Sequence, residues 1–172
     1  MIRTAILTVS DRSAAGRRED RSVQALREVL ATGPFVEVDY QVVADEQAII
    51  RSKLRLLTEG DGVDLVLTTG GTGLALRDRT PEATLEVVER TVPGLAEAMR
   101  AAGAREDPRA SLSRGVVGVR RATLVVNLPG SPAGARASLA AIAGVLPHAV
   151  DVVQGRSGSG DRPPAAPDDW HG

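Results

Sequence analysis

"LVLTTGGTGLALRDRTPEA" (Leu65–Ala83) decides how the chain is read. An apolar run enters three glycines within four positions, and a carboxylate, Asp78, follows five residues after the last of them. "LVL" does not alternate, which marks a strand covered on both faces, as in a parallel sheet. Glycines at the end of such a strand let the backbone take positive φ and let a ligand approach without a Cβ in the way. Consecutive amides then form a nest for an anion, and phosphate is the natural occupant. The pattern is neither GxxxxGK[ST] nor GxGxxG, so a P-loop NTPase and a classical dinucleotide fold are disfavoured.

Around this stretch the chain reads as strands alternating with helices. Strands are expected at Arg3–Ser10, Phe35–Val43 and Val63–Thr69, with Val36, Val38, Tyr40 and Val42 sharing one side of the second. Val116–Val119 and Thr123–Asn127 read as an antiparallel pair turning at Arg120-Arg121. Asp11–Asp20 reads as a loop. Helices are expected over Arg21–Ala31, Glu46–Thr58, Pro81–Glu89, Leu95–Ala102 and Ala135–Leu146, with a last one running to about Gln154. Asp45 is placed to cap the second helix, and Thr80 to cap the third ahead of Pro81. The result is an α/β sandwich with a mainly parallel sheet. Ligands of such sheets sit beyond the carboxyl ends of the strands. The loops after Ser10, Val43, Thr69 and Asn127 would meet there.

The chain has 172 residues, enough for one domain that buries about two-thirds of its unfolded surface. It has no cysteine, which excludes a thiol nucleophile, a CxxC redox pair and a cysteine zinc site and permits a reducing cytoplasm. The net charge of −1 argues for neither nucleic acid nor membrane as a partner. Phe35, Tyr40 and Trp170 are the only aromatic residues, too few for a single-strand stacking platform. "MIRTAILTVS" is too short and too polar for a signal peptide or a membrane span, which leaves the cytoplasm as the expected location. From Gly155 the chain becomes rich in Gly, Ser and Pro, so the domain is expected over 1–154 and a mobile tail over 155–172.

Several residues at the expected strand ends carry chemistry. Gly70, Gly71, Thr72 and Gly73 form the candidate cradle, and Gly71→Val is expected to weaken ligand binding more than folding. Asp45 and Asp78, two carboxylates near a phosphate nest, could hold Mg²⁺ together with substrate phosphates or orient an attacking group. Each could also be a plain helix cap. Asp11 and Asp20 are weaker candidates of the same kind. In "NLPGSP" (Asn127–Pro132) the two prolines fix φ around Gly130, and Ser131 could cap a helix or donate to a ligand. Ser113 and Arg114 in "LSRG" could meet a phosphate; solvent is the plainer place for Arg114, as for Arg77 and Arg79. Glu97 could line the cleft or face water, and water is the plainer reading. His148, among apolar helical residues, reads as packed in the core or an interface, and His171 lies too far off for a triad or a histidine cage.

The segments "LTVSDR", "ADEQAII", "LTTGGTG", "RDRTPEAT", "VPGLAEAMR", "LSRGVVGVR" and "LVVNLPGSP" occur in this order. Together they resemble the molybdenum cofactor biosynthesis Mog/MoaB-like family, which includes molybdopterin adenylyltransferases and the G domain of gephyrin. The resemblance runs from about Ile2 to Gln154. It implies a three-layer α/β/α sandwich, mostly parallel with one antiparallel strand, and assembly as a homotrimer. It implies adenylyl transfer from Mg-ATP to molybdopterin with release of pyrophosphate, and hand-off of the product to a molybdenum insertase. A non-catalytic molybdopterin-binding protein and a trimeric scaffolding module are the alternatives. On this resemblance Asp45 and Asp78 are the key carboxylates and Mg²⁺ ligands. Gly70, Gly71, Thr72, Gly73, Asp11, Ser113, Asn127, Pro129, Gly130 and Ser131 form the substrate-binding set. "RDRTPEA" favours the adenylyltransferase side of the family. Ala44 departs from the proline that many relatives carry before the aspartate.

Overall fold

A computed structural model describes residues 1–16 and 20–156. The expected tail falls almost wholly on 157–172, outside the described residues, as do Trp170 and His171. The elements run β1 (Ile2–Val9), α1 (Asp11–Ala14), α2 (Arg21–Leu30), β2 (Phe35–Val43), α3 (Gln47–Glu59), β3 (Leu65–Thr69), α4 (Thr80–Leu85), β4 (Arg90–Thr91), α5 (Pro93–Glu106), a 3₁₀ turn (Pro108–Leu112), β5 (Val117–Arg120), β6 (Thr123–Leu128), α6 (Pro132–Ala143) and α7 (Leu146–Val153).

One six-stranded sheet has the order β2-β1-β3-β6-β5-β4. β2, β1, β3 and β6 are parallel, and β5 pairs antiparallel with both β6 and β4. β5 is therefore the single reversed strand. Side chains alternate across the sheet, so β1 feeds two cores. Ile2 and Ile6 join Leu26, Leu139 and Leu146 on one face; Ala5, Leu7 and Val9 join Ile50, Leu54 and Ala83 on the other. Helices α2, α5, α6 and α7 cover the first face and α3 and α4 the second, giving three layers. Leu67 in β3 is fully buried, and its truncation to alanine would cost about 3 kcal/mol.

The structure corrects several sequence expectations for local reasons. In β2, Thr4 pairs with Glu37 but Ala5 pairs with Asp39, so a bulge at Val38 resets the alternation. Val36 lies on the face of Arg3, while Tyr40 and Val42 lie on the face of Ile6 and Thr8; the four do not share a side. α4 stops at Leu85 because Val87 turns into the core and Val88 packs on Gly118. The chain then extends as β4, closing the free edge of β5 through the Glu89 and Val92 amides. Asp11–Ala14, read as loop, makes one helical turn capped by Ser10. α6 begins at Pro132 rather than Ala135, since Ser131 caps it and proline suits the first turn. His148 is exposed on this chain rather than packed in its core, because Leu146 and Val150 define the inward stripe of α7. Among the described residues no single helix is long and apolar enough to cross a membrane.

At the opposite edge from the strand carboxyl ends, buried Asp64 ties three elements. Its carboxylate accepts from the Arg3 backbone N–H at 2.8 Å, from Arg3 Nη2 at 2.7 Å and from Gln154 Nε2 at 2.7 Å. The Arg3 fork foremost, with the Gln154 amide, holds the carboxyl well below the ordinary carboxylate range. A depressed folded-state value stabilises above the unfolded value near ~3.9 and is lost as pH falls. Asp64→Asn should therefore cost about 2 kcal/mol at neutral pH, a modest figure because the Arg3 head group is half in water. The difference from wild type should close in acid, as read by denaturant melts across pH.

Candidate functional site

The carboxyl ends of β1, β2, β3 and β6 lie along one edge, and the reversed β5 starts there. The loops after Val9, Val43, Thr69 and Leu128 therefore meet, as the sequence implies, and Ser113–Gly115 joins them ahead of β5. Main-chain bonds lock them together. Ser10 donates to the Val43 carbonyl at 2.9 Å, Gly70 to Leu128 at 3.1 Å, and Arg114 to Thr72 at 2.9 Å.

The glycine loop leaves β3 with positive φ at Gly70 (98°) and Gly71 (66°). A Cβ on Gly71 would lie 2.3 Å from Thr80 Oγ1. Thr80 is the reason for this tightness. Its amide donates to the Gly71 carbonyl at 3.1 Å and its hydroxyl to the Gly70 carbonyl at 3.0 Å. Thr80 is thus the first residue of α4 and a strap on the glycine loop, not the N-cap its sequence position implies; Arg79 occupies the cap without a side-chain bond. Among the described residues the N–H groups of Gly71, Thr72 and Gly73 have no acceptor. These are the donors an oxyanion requires.

The loop borders a cavity of about 780 Å³. Of the substrate-binding set and the two key carboxylates, all except Gly70, Asp11 and Asp45 line it, and α5, the 3₁₀ turn and α6 supply the remaining wall. Met99 and Arg100 of "VPGLAEAMR" belong to that wall, whereas Glu97 is exposed. Gly70 faces a second cavity of about 390 Å³, shared with Thr8, Asp20 and Ser22 and joined to the first at Gly130 and Ser131. Asp20 caps α2, accepting from the Ser22 amide at 3.0 Å.

Asp11 and Asp45 form a reciprocal pair: each backbone N–H donates to the other's carboxylate, both at 3.0 Å. Asp45 is therefore not the cap of α3; Glu46 holds that position, with no side-chain bond. Arg77 forms an ion pair with Asp11. Burial foremost pushes the Asp45 carboxyl up from its ordinary value, and the charges of Asp11 and Asp78 push it further; the Asp11 amide and Arg77 oppose them. Asp78 lines the cavity, and its charge acts on Asp45. Its Oδ2 accepts from the Ala75 amide at 3.0 Å and would lie 2.8 Å from a Cβ on Gly73. The two carboxylates separated by 33 positions thus share one edge with the glycine cradle.

The donor set suits Mg²⁺, a hard cation that takes one or two carboxylates and completes its shell with phosphate and water. Among the described residues no three acidic or histidine side chains gather as a cage, so such an ion would depend on substrate phosphate and water for most of its shell.

Two candidates also make bonds within the protein. Ser131 caps α6, accepting from Gly134 at 3.1 Å. Asn127 reaches the cavity wall, yet its amide donates to Thr68 and Thr84 at 3.0 and 2.9 Å and its Oδ1 accepts from Val116 at 3.1 Å. The Thr80 strap and an ion pair between Arg114 and Glu82 were not legible from the sequence. "TPEA" and "LSRG" were the signals, but they read locally as a helix start and a solvated cation.

Residues 5–148 match the family model described as "Probable molybdopterin binding domain". The chain is 42% identical over 156 residues to a molybdopterin adenylyltransferase of Helicobacter pylori J99, covering 90% of this chain and 89% of that one. It is 43% identical over 141 residues to the enzyme of that name from Escherichia coli K12, covering 80% and 72%. A crystal structure of the molybdopterin biosynthesis enzyme MoaB from Thermus thermophilus superposes with a TM-score of 0.86 at 58% identity, covering 90% of this chain and 98% of that one.

The loop geometry separates two glycines that look alike in sequence. Gly71→Ala, and with it Gly71→Val, should lower stability by at least about 1–2 kcal/mol, because positive φ and the Thr80 contact both oppose a Cβ. This replaces the expectation that binding would suffer more than folding. Gly73→Ala should melt like wild type while displacing the carboxylate end of Asp78, so ligand turnover should fall without a stability change. Paired thermal melts and turnover assays check both.

Proposed function

This chain belongs to the family described as the probable molybdopterin binding domain, and from that premise we propose that it is a molybdopterin adenylyltransferase of molybdenum cofactor biosynthesis. An oxygen of the molybdopterin phosphate attacks the α-phosphorus of ATP. The bond from that phosphorus to the bridging β-phosphate oxygen breaks, and pyrophosphate leaves. The observation that carries the reading is Asp78, which belongs at once to the cavity wall, to the glycine loop and to the surroundings of Asp45. The names borne by the H. pylori and E. coli relatives support it.

The amides of Gly71–Gly73 bind the phosphate end of molybdopterin, and the cavity walled by α5 and α6 accepts the remainder of a substrate. Asp78 and Asp45 orient the reacting groups and are the residues that would hold Mg²⁺. When bound, that ion supplies neutralisation between two anionic substrates. Arg77 offsets the charge accumulated on Asp11 and Asp45. Catalysis then comes from orientation and fixed charge. We extend the reading, on the family resemblance, to a homotrimer that works in the cytoplasm and passes its product to a molybdenum insertase. The alternative is a MoaB-like protein that binds molybdopterin without adenylylating it; the 58% identical T. thermophilus structure bears the MoaB name, as an enzyme of molybdopterin biosynthesis. Both readings use the same cradle, and only the first needs the carboxylates for turnover.

Purified protein with Mg-ATP and molybdopterin should release pyrophosphate, and Asp78→Asn should reduce kcat by about a hundredfold or more. Binding of molybdopterin with equal background release from wild type and variant would favour the second reading. Sedimentation checks the trimer.

The raised carboxyl of Asp45 gives a pH signature. In the metal-free protein Asp45 should titrate above the ordinary carboxylate value of ~3.9, as followed by its carboxyl chemical shift across pH. Arg77 favours the ionised form. Arg77→Ala should therefore raise the Asp45 value further in the same metal-free titration.

A further inference from the structure

Arg114 is neither a solvated cation nor free to serve mainly as a phosphate ligand. Its Nε donates to the Gly73 carbonyl at 2.8 Å, and its Nη2 to the Asp78 carbonyl at 2.7 Å. Its Nη1 is bonded to Glu82 in the first turn of α4, and its backbone N–H donates to Thr72 at 2.9 Å. Three of the five N–H bonds of the guanidinium are thus directed at protein acceptors. The Glu82 carboxylate offsets its charge, which leaves little net attraction for an anion.

The carbonyls of Gly73 and Asp78 are the two ends of one excursion of the chain. Between them, Leu74 and Leu76 are 65% and 96% exposed, so hydrophobic burial does not fix the excursion. Its internal bonds are local ones, Asp78 N–H to the Ala75 carbonyl and Ala75 N–H to the Asp78 carboxylate, both at 3.0 Å. The distance between the cradle and the Asp78 carboxylate therefore depends on what grips both ends. Arg114 grips both, and is itself braced from α5 by Arg100, whose Nη1 donates to the Gly115 carbonyl at 3.0 Å. A lysine ammonium is a point donor and cannot span acceptors that diverge in the plane of a fork.

We propose that Arg114 is a positioning residue that sets the Asp78 carboxylate over the glycine cradle by clamping the Gly73 and Asp78 carbonyls. The proposal rests on the adenylyl-transfer reading above.

The test compares wild type, Arg114→Ala, Arg114→Lys, Asp78→Asn and the Arg114→Ala/Asp78→Asn double variant. Pyrophosphate release gives kcat and KM for ATP and molybdopterin, and hydrogen exchange is followed in the peptide spanning residues 70–80. Arg114→Ala should lower kcat roughly ten- to a hundredfold with KM nearly unchanged, the signature of lost orientation rather than lost binding. Exchange in the 70–80 peptide should speed up by about tenfold. In the Asp78→Asn background the same change should cost less than about threefold, because the carboxylate it positions is gone.

Arg114→Lys covers the case in which the alanine variant fails to fold. It should melt near wild type and still lose kcat. Wild-type kcat in Arg114→Lys would overturn the proposal. So would a raised KM at unchanged kcat, full additivity with Asp78→Asn, or unaltered exchange. Wild-type protein that binds both substrates but releases no pyrophosphate would instead defeat the adenylyl-transfer reading, and the clamp's catalytic role with it.

Discussion

Parallel strands present their carboxyl ends on the same side, and everything at this site follows from that constraint. β1, β2, β3 and β6 run one way, so the loops that leave them cannot avoid one another. β5 runs the other way and therefore brings its preceding segment, with Arg114, to the same edge. No single loop here contains a site. The amides come from the β3 exit, one carboxylate from the β2 exit, a second from the entry to α4, and the brace from ahead of β5.

The glycine loop illustrates how such an edge becomes rigid. Thr80 bonds the carbonyls of Gly70 and Gly71, so the loop is strapped to α4 through its acceptors while, among the described residues, the donors of residues 71–73 have no acceptor. Backbone donors that the fold does not use are preorganised for an oxyanion at no further ordering cost. The same economy explains Asn127. It fills the wall beneath the cavity, but its amide is committed to holding Thr68 and Thr84 together. It shapes the space and keeps no donor in reserve.

The architecture was legible because it is written in periodicity: unbroken apolar strands, one-faced helices and glycines at strand ends. Local signals failed where a tertiary contact outcompeted them. Thr80 before Pro81 has every attribute of a helix cap, yet its hydroxyl serves a loop ten residues earlier. Asp45 precedes a helix and was open to the same reading, but the Asp11 amide claims it. The bulge at Val38 reverses half of a strand without leaving a trace in the alternation. Arg114 looks like any surface arginine, since its three acceptors lie 32 to 41 positions away. Motif order, read as resemblance, pointed to the loops that meet at this edge, while the contacts within them belong to long-range geometry.

The central claim is that the amides of Gly71–Gly73 and the carboxylate of Asp78 act on one phosphate-bearing substrate. The most direct measurement is a crystal structure of the protein with molybdopterin and a non-hydrolysable magnesium nucleotide. The account predicts a phosphate group seated on those amides, with Asp78 facing the same reacting centre directly or through the metal. Phosphates bound elsewhere, with the glycine loop and Asp78 contacting only protein, would contradict it.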